Sequence, residues 1–212
     1  MSTPIDRRAR KRLVTRQAIS DAATRLFIER GFDQVTVDQI AEAADVGRMT
    51  VFNHFVRKED MFFDRDEEGR ELIRAALRQR DPRVPPIETL RLFAHELVAA
   101  RSPAVEFSAR SQSFVEAIEA SETLKARARA IRDELAQVVS LTLCECAGRE
   151  STDPDAQLAG DMLVATWAVA FLEGHRVYRQ SRSAKKASAA FLALVDKGTT
   201  GLKAAMAGTP YA

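Results

Sequence analysis

Within eleven residues the chain places Arg48, Met49, Thr50, Asn53, His54 and Lys58, a set able to contact both the edges and the backbone of a nucleic acid. A guanidinium such as that of Arg48 pairs bidentately with O6 and N7 of a guanine. Met49 offers apolar contact to a thymine methyl, and Thr50 is short enough for either a base edge or a phosphate. Asn53 and His54 lie one helical turn further on and suit phosphate oxygens. Lys58 opens another helix, where side-chain charge and helix dipole both favour a phosphate, and Thr36 has the same opportunity at the start of an earlier helix. This is the chemistry of reading a duplex, with no bond made or broken.

Bond-making chemistry finds no comparable set. The three histidines, His54, His95 and His175, are far apart and have no Cys or His at metal-ligand spacing. No Gly-rich phosphate loop, nucleophile elbow or HExxH occurs. Cys144 and Cys146, two residues apart on a helix, point in divergent directions, so they neither pair nor clasp a metal. They read as small apolar residues of a reducing cytoplasm. Acidic pairs such as Glu67-Glu68 and Glu116/Glu119 fall on solvated helix faces. We therefore expect no enzyme, no catalytic residue, no cofactor and no metal.

The elements that hold the first set can be read locally. Thr36 followed by Gln39 is a capping box for a helix over 37–44. Asp45-Val46-Gly47 is a turn, and 48–55 the next helix. Together these are the layout of a helix-turn-helix, whose second helix enters a major groove. Val37, Ile40, Ala41, Val46, Val51, Phe52 and Phe55 supply an apolar seam. A preceding helix is expected from Thr15 as N-cap, with Ile19, Ala22, Ala23, Leu26 and Phe27 on one face and Gly31 closing it. Residues 1–14 read as a disordered basic arm. Six cations against Asp6 give residues 1–16 a charge of +5, which leaves −3 for the rest of a chain of net +2, so contact with a polyanion is local.

A fourth helix should run from Lys58 to about Arg80, where Asp81-Pro82-Arg83-Val84-Pro85-Pro86 breaks the pattern. Helices are expected near 87–101, 103–120, 122–148, 155–181 and 184–207. No alternating strand pattern appears, and nine Gly and seven Pro in 212 residues are few for a turn-rich β fold. The fold class is thus all-α with about nine helices. The expected division is a basic arm (1–14), a helix-turn-helix domain (15–60) and a larger helical domain (61–212).

Residues 15–62 resemble the DNA-binding domain of the tetracycline-repressor (TetR) family of bacterial transcriptional regulators. The resemblance lies in Ala22-Ala23-x-x-Leu26-Phe27-x-x-x-Gly31-Phe32, in Thr36-Val37-x-x-Ile40-Ala41, and in Val46-x-x-x-Thr50-Val51-Phe52-x-His54-Phe55-x-x-Lys58-Glu59-x-Met61. It covers about a quarter of the chain and supports Arg48, Met49, Thr50, Asn53, His54 and Lys58 as the contacting set. Two positions depart from the family pattern. Gly47 stands where Ser is usual, removing an N-cap hydroxyl, and Asp38 puts an acid where some relatives touch bases. An acid there is repelled by the DNA backbone, so Asp38 is left out of the readout.

The resemblance implies a cytoplasmic homodimer on a palindromic operator, most often a repressor released by a small-molecule effector. One short helix reads too few bases to find a site alone, and two-fold pairing places two readers about one DNA turn apart. Leu158, Met162 and Ala165, with Phe191, Leu194 and Leu202, are the expected dimer interface. Phe93, His95, Phe107, Phe114, Trp167 and Phe171 are the expected walls of a largely apolar effector pocket. No apolar run reaches the length of a membrane span, and no membrane partner is expected.

Overall fold

A computed structural model describes residues 7–212. They form ten α-helices and two 3-10 turns, with no strand among the described residues. The helices are α1 (Arg7–Arg30), α2 (Val37–Ala43), α3 (Arg48–His54), α4 (Glu59–Phe62), α5 (Asp66–Arg78), α6 (Pro86–Ala99), α7 (Ala109–Ala120), α8 (Glu122–Ala147), α9 (Pro154–Ser181) and α10 (Ala184–Ala205). The 3-10 turns are Phe32–Gln34 and Pro103–Val105.

Two boundaries differ from expectation. α1 begins at Arg7, not Thr15. Residues 7–14 are rich in Arg, Lys and Leu, all good helix formers, and contain no breaker. Thr15 does not cap; its hydroxyl donates to the Lys11 carbonyl at 3.0 Å, as a mid-helix threonine does. The disordered arm is therefore corrected to a helical extension over 7–14, and residues 1–6 of that expectation lie outside the described residues. The helix expected over 58–80 is two, α4 and α5, because the chain leaves helical geometry at Phe63.

The chain divides into two compact units. The first comprises the described residues through Arg65 together with Glu116–Arg127, and the second comprises Asp66–Val115 and Ala128–Ala212. The expected boundary at residue 60 thus misses Glu116–Arg127, a segment far away in sequence. In the first unit α1 packs against α2, α3 and α4. Ile19, Ala23, Phe27, Ile40, Val51, Phe55 and Met61 form its buried interior. Phe27 meets the ring of Phe32 at 4.8 Å and that of Phe62 at 6.0 Å. Glu116–Arg127 joins this unit through the Ser121 hydroxyl, 3.4 Å from the Asp33 carboxylate, and through Arg127, whose Nε lies 3.4 Å from Asp60.

The second unit is built on the antiparallel pair α9 and α10, with α6 against α10. Asp153 caps α9 by accepting from the Asp155 amide at 2.9 Å. The same carboxylate accepts the hydroxyl of the fully buried Tyr211 at 2.8 Å, so the chain's last turn is tied to the start of α9. α9 ends at Arg182 in the left-handed region, and Ser183 then caps α10 by accepting from the Lys186 amide. Gly198 lets the two helices touch: a Cβ there would lie 2.2 Å from Cγ2 of Thr166.

Candidate nucleic-acid interface

α3 is placed by two local devices. At the start of α2, Thr36 Oγ1 accepts from the Gln39 amide at 3.3 Å while Gln39 Oε1 accepts from the Thr36 amide at 2.9 Å, the capping box expected from sequence. At its end, the Val46 amide donates to the Ala41 carbonyl and the Asp45 amide to that of Glu42. Asp45 sits at φ 52°. That pair of bonds is the Schellman closure, made here with Asp, one of the few non-glycine residues that tolerates the left-handed region. The closure turns the chain so that Gly47 can start α3.

α3 has a buried and an open side. Val51 and Phe55, four apart, point inward and are essentially inaccessible. Arg48, Met49, Phe52 and Asn53 are exposed, and Met49 retains 69% of its surface. Phe52 was expected in the seam but is 42% exposed; one residue on from Val51, it swings about 100° off the inward direction. Its ring lies 5.6 Å from the Arg48 guanidinium. Thr50 and His54 are half-buried. Gly47 gives no side-chain cap, and the first turn of α3 rests on its carbonyl alone.

The C-terminal end of α3 is held from α1. Arg16 Nη1 donates to the His54 carbonyl at 2.5 Å, and its guanidinium sits 4.0 Å over the Phe55 ring. A cation at a helix C-terminus also meets the negative end of the dipole. Sequence reading counted Arg16 only as one more basic residue; its neighbour 38 positions later carries no local signal. Burial, with the nearby charges of Arg12 and Arg16, pushes the His54 imidazole below its ordinary range. Arg12 and Arg16 are the cations beside it.

Lys58 has a structural role that its sequence position did not indicate. Its Nζ donates to the carbonyls of Phe32 at 2.7 Å and Val35 at 3.0 Å and lies 4.0 Å over the Phe32 ring. Burial lowers its pKa from the ordinary lysine value. The ammonium therefore pins the 3-10 turn between α1 and α2, a half-buried structural use. Its partners lie more than twenty residues earlier, where sequence spacing gives no hint. Asp38, set aside on charge grounds, accepts from Arg48 Nη1 at both carboxylate oxygens, 3.1 and 2.9 Å.

In the second unit several expectations are redistributed. His95, expected in the pocket wall as a polar group, has its Nε2 2.8 Å from Asp196 Oδ1, in a partly exposed network with Arg91 and Glu88. Asp196 is the reason, since an acid across the helix pair outcompetes an apolar environment for an imidazole. Phe107 is buried and packs against Phe171 and Phe191 at 5.9 Å each, while Phe93 stacks on Trp167 at 6.4 Å. Phe114 is half-buried on α7. Sequence reading missed His175 and Gln112, both buried, with His175 Nδ1 3.2 Å from Gln112 Oε1. Of the expected dimer residues, Phe191 and Leu202 belong to the unit's own core, because α9 and α10 face each other along that stripe. Met162 and Leu194 are half-buried, and Leu158 and Ala165 stay exposed.

A model of the tetR family of bacterial regulatory proteins matches residues 19–64. The transcriptional regulator TcmR of Streptomyces glaucescens is 35% identical over 83 residues, 39% of this chain and 37% of that protein. The chain thus aligns with little more than a third of the length of that curated relative. Among solved structures, SmeT in complex with triclosan is 20% identical, with a TM-score of 0.57 over 89% of this chain and 91% of that one. The FadR repressor of Thermus thermophilus with lauroyl-CoA is 22% identical, with a TM-score of 0.53 over 88% and 92%. These two likenesses establish a shared fold along nearly the whole chain. Residues 19–64, the helix-turn-helix with its flanking helices, are thus similar to the DNA-binding segment of the tetR family of bacterial regulatory proteins.

Proposed function

We propose that this protein is a sequence-specific regulator of transcription, a cytoplasmic homodimer that represses from a palindromic operator in double-stranded DNA and leaves it on binding a small, largely apolar effector. The observation that carries the reading is α3: Val51 and Phe55 locked inward, Arg48, Met49 and Asn53 left outward, and a Schellman turn fixing its approach. Arg48, Met49 and Thr50 face bases; Asn53, His54 and the free O–H of Thr36 face phosphates. The helical extension of α1, with Arg7, Arg8, Arg10, Lys11 and Arg12 exposed, adds phosphate contacts rather than a strand along the minor groove.

Dimerisation is supported by an apolar strip left open on α9. Leu158 is 48%, Val169 59% and Leu172 55% exposed, with Ala165 between them. An apolar strip of this kind on a single chain marks an interaction face. An effector site is supported by the ring cluster of buried Phe107 with half-buried Trp167 and Phe171, beside which Nε2 of the buried His175 has no hydrogen-bond partner. A buried polar atom left unpaired costs about 1–3 kcal/mol, and a hydrogen-bonding group on an otherwise apolar effector relieves that cost. Triclosan and lauroyl-CoA, the molecules bound by the two fold relatives, both carry large apolar parts. Effector binding would then favour the arrangement with lower operator affinity.

Selection from a randomised duplex library by the purified chain tests the reading. Enrichment of a two-fold symmetric sequence with half-sites about one helical turn apart is the expected result. Uniform retention of all sequences would refute it, as would sedimentation as a monomer both alone and on the enriched duplex.

A further inference from the structure

The ion pair between α2 and α3 has no good explanation in stability. Arg48 and Asp38 keep 59% and 63% of their side-chain surface exposed, and pairs so exposed contribute little to folding. An acid beside the reader helix also repels phosphate wherever the protein touches DNA. Its value lies in how it holds Arg48. Asp38 does not take the guanidinium by its two-nitrogen edge. Both carboxylate oxygens share Nη1 alone. Nη2 and Nε of Arg48 have no hydrogen-bond partner among the described residues, so one two-donor edge stays open. Guanine needs such an edge, since O6 and N7 together accept from two N–H groups of one guanidinium. The Phe52 ring lies 5.6 Å from the same guanidinium.

We propose that Asp38 is a positioning residue for base readout: it anchors Nη1 of Arg48, presents the Nη2–Nε edge to a guanine, and keeps the guanidinium from settling on a phosphate. This inference rests on the reading of α3 as the base-contacting helix. Charge makes two opposite effects inseparable in Asp38. The carboxylate lowers affinity for DNA in general and raises discrimination at one base pair. An Arg released from Asp38 binds any phosphate within reach, which improves affinity without information.

The test is selection from a randomised duplex library, followed by competition titrations of the enriched duplex against the same duplex with the Arg48-contacted guanine replaced. Full-length Asp38→Asn, Asp38→Glu, Arg48→Ala and the Asp38→Asn/Arg48→Ala pair are compared, with melting temperatures measured alongside. Asp38→Asn keeps size and fold while losing the charge. The expected result is a guanine preference reduced by about tenfold, within the range one bidentate contact supplies, together with tighter binding to unrelated duplex. Asp38→Glu keeps the preference, and Asp38→Asn has no further effect on selectivity once Arg48 is Ala. An unchanged preference in Asp38→Asn overturns the proposal, and so does a sharper one, which would make Asp38 a competitor of guanine. If Arg48→Ala itself leaves selection untouched, α3 is not the reader, and that separate failure removes the basis of the inference as well.

Discussion

Arg48 and Met49 stand largely in water on the open side of α3, whereas His175 and Gln112 lie wholly inside the second unit among phenylalanine rings. The two units thus invest polar groups differently. In the first, the interior is apolar apart from the hydrogen-bonded hydroxyls of Ser20 and Ser121, and the outward polar side chains project from a short helix whose approach is set by caps and a turn. In the second, a polar pair is buried at a desolvation cost, and α9 leaves Leu158, Val169 and Leu172 exposed. A surface that reads a charged, hydrated polymer needs donors held rigidly in water. A site for a small apolar molecule needs burial, with few polar groups and each of them expensive.

The largest expected effect concerns the foundation of the first unit. Phe27→Ala removes the ring against which Phe32 and Phe62 pack, and costs about 3–5 kcal/mol by denaturant titration, enough to release α3 and abolish DNA binding. A loss under half of that would show that the reader helix is not supported from this core. The second unit has its own critical contact. Gly198→Val puts atoms where Thr166 stands, and Thr166 is held by its bond to the Met162 carbonyl at 2.8 Å. Overpacking of this kind costs about 1–3 kcal/mol. Unchanged melting would mean that α9 and α10 separate easily.

The contrast also predicts a difference in pH response. Burial pushes the His175 imidazole from its ordinary value of 6.5 down to about 4. Between those values the unfolded chain binds the proton and the folded one does not. The stabilisation is therefore complete above about pH 6.5 and is lost as pH falls, levelling off near 4, with a slope of at most about 1.4 kcal/mol per pH unit. The chain minus His175→Phe difference in unfolding free energy, measured across this range, isolates the effect. A flat difference would place His175 in contact with water. The smallest effect is at Gly47, where a Cβ meets nothing closer than Thr50 Oγ1 at 3.9 Å. Gly47→Ser supplies the missing cap and stabilises by a few tenths of a kcal/mol. Destabilisation would mean that the turn needs glycine.

Legibility in the sequence followed the same division. Thr36 and Gln39 are three apart, and Val51 and Phe55 four apart, so the cap, the turn and the inward face of α3 were readable from neighbours. The extension of α1 over 7–14 was misread because a dense run of cations was taken for disorder, although Arg and Lys favour helix. The structural role of Lys58 was not legible because its carbonyl partners, Phe32 and Val35, are reached only through the tertiary fold. His175 and Gln112 are 63 positions apart, and nothing in either neighbourhood distinguishes them. Phe191 and Leu202 show the limit of periodicity: an apolar stripe tells which side of a helix is covered, not whether the cover is the same chain or a second copy.

The central claim is that α3 selects sequence. The most direct measurement is a competition titration of an enriched duplex against a shuffled one, comparing the chain with Arg48→Ala/Thr50→Ala. Both side chains are at least partly exposed, so the variant retains its fold. The predicted result is equal affinity of the variant for both duplexes, at the level the intact protein shows for the shuffled one. A variant that still prefers the enriched duplex as strongly as the intact protein does would contradict the account.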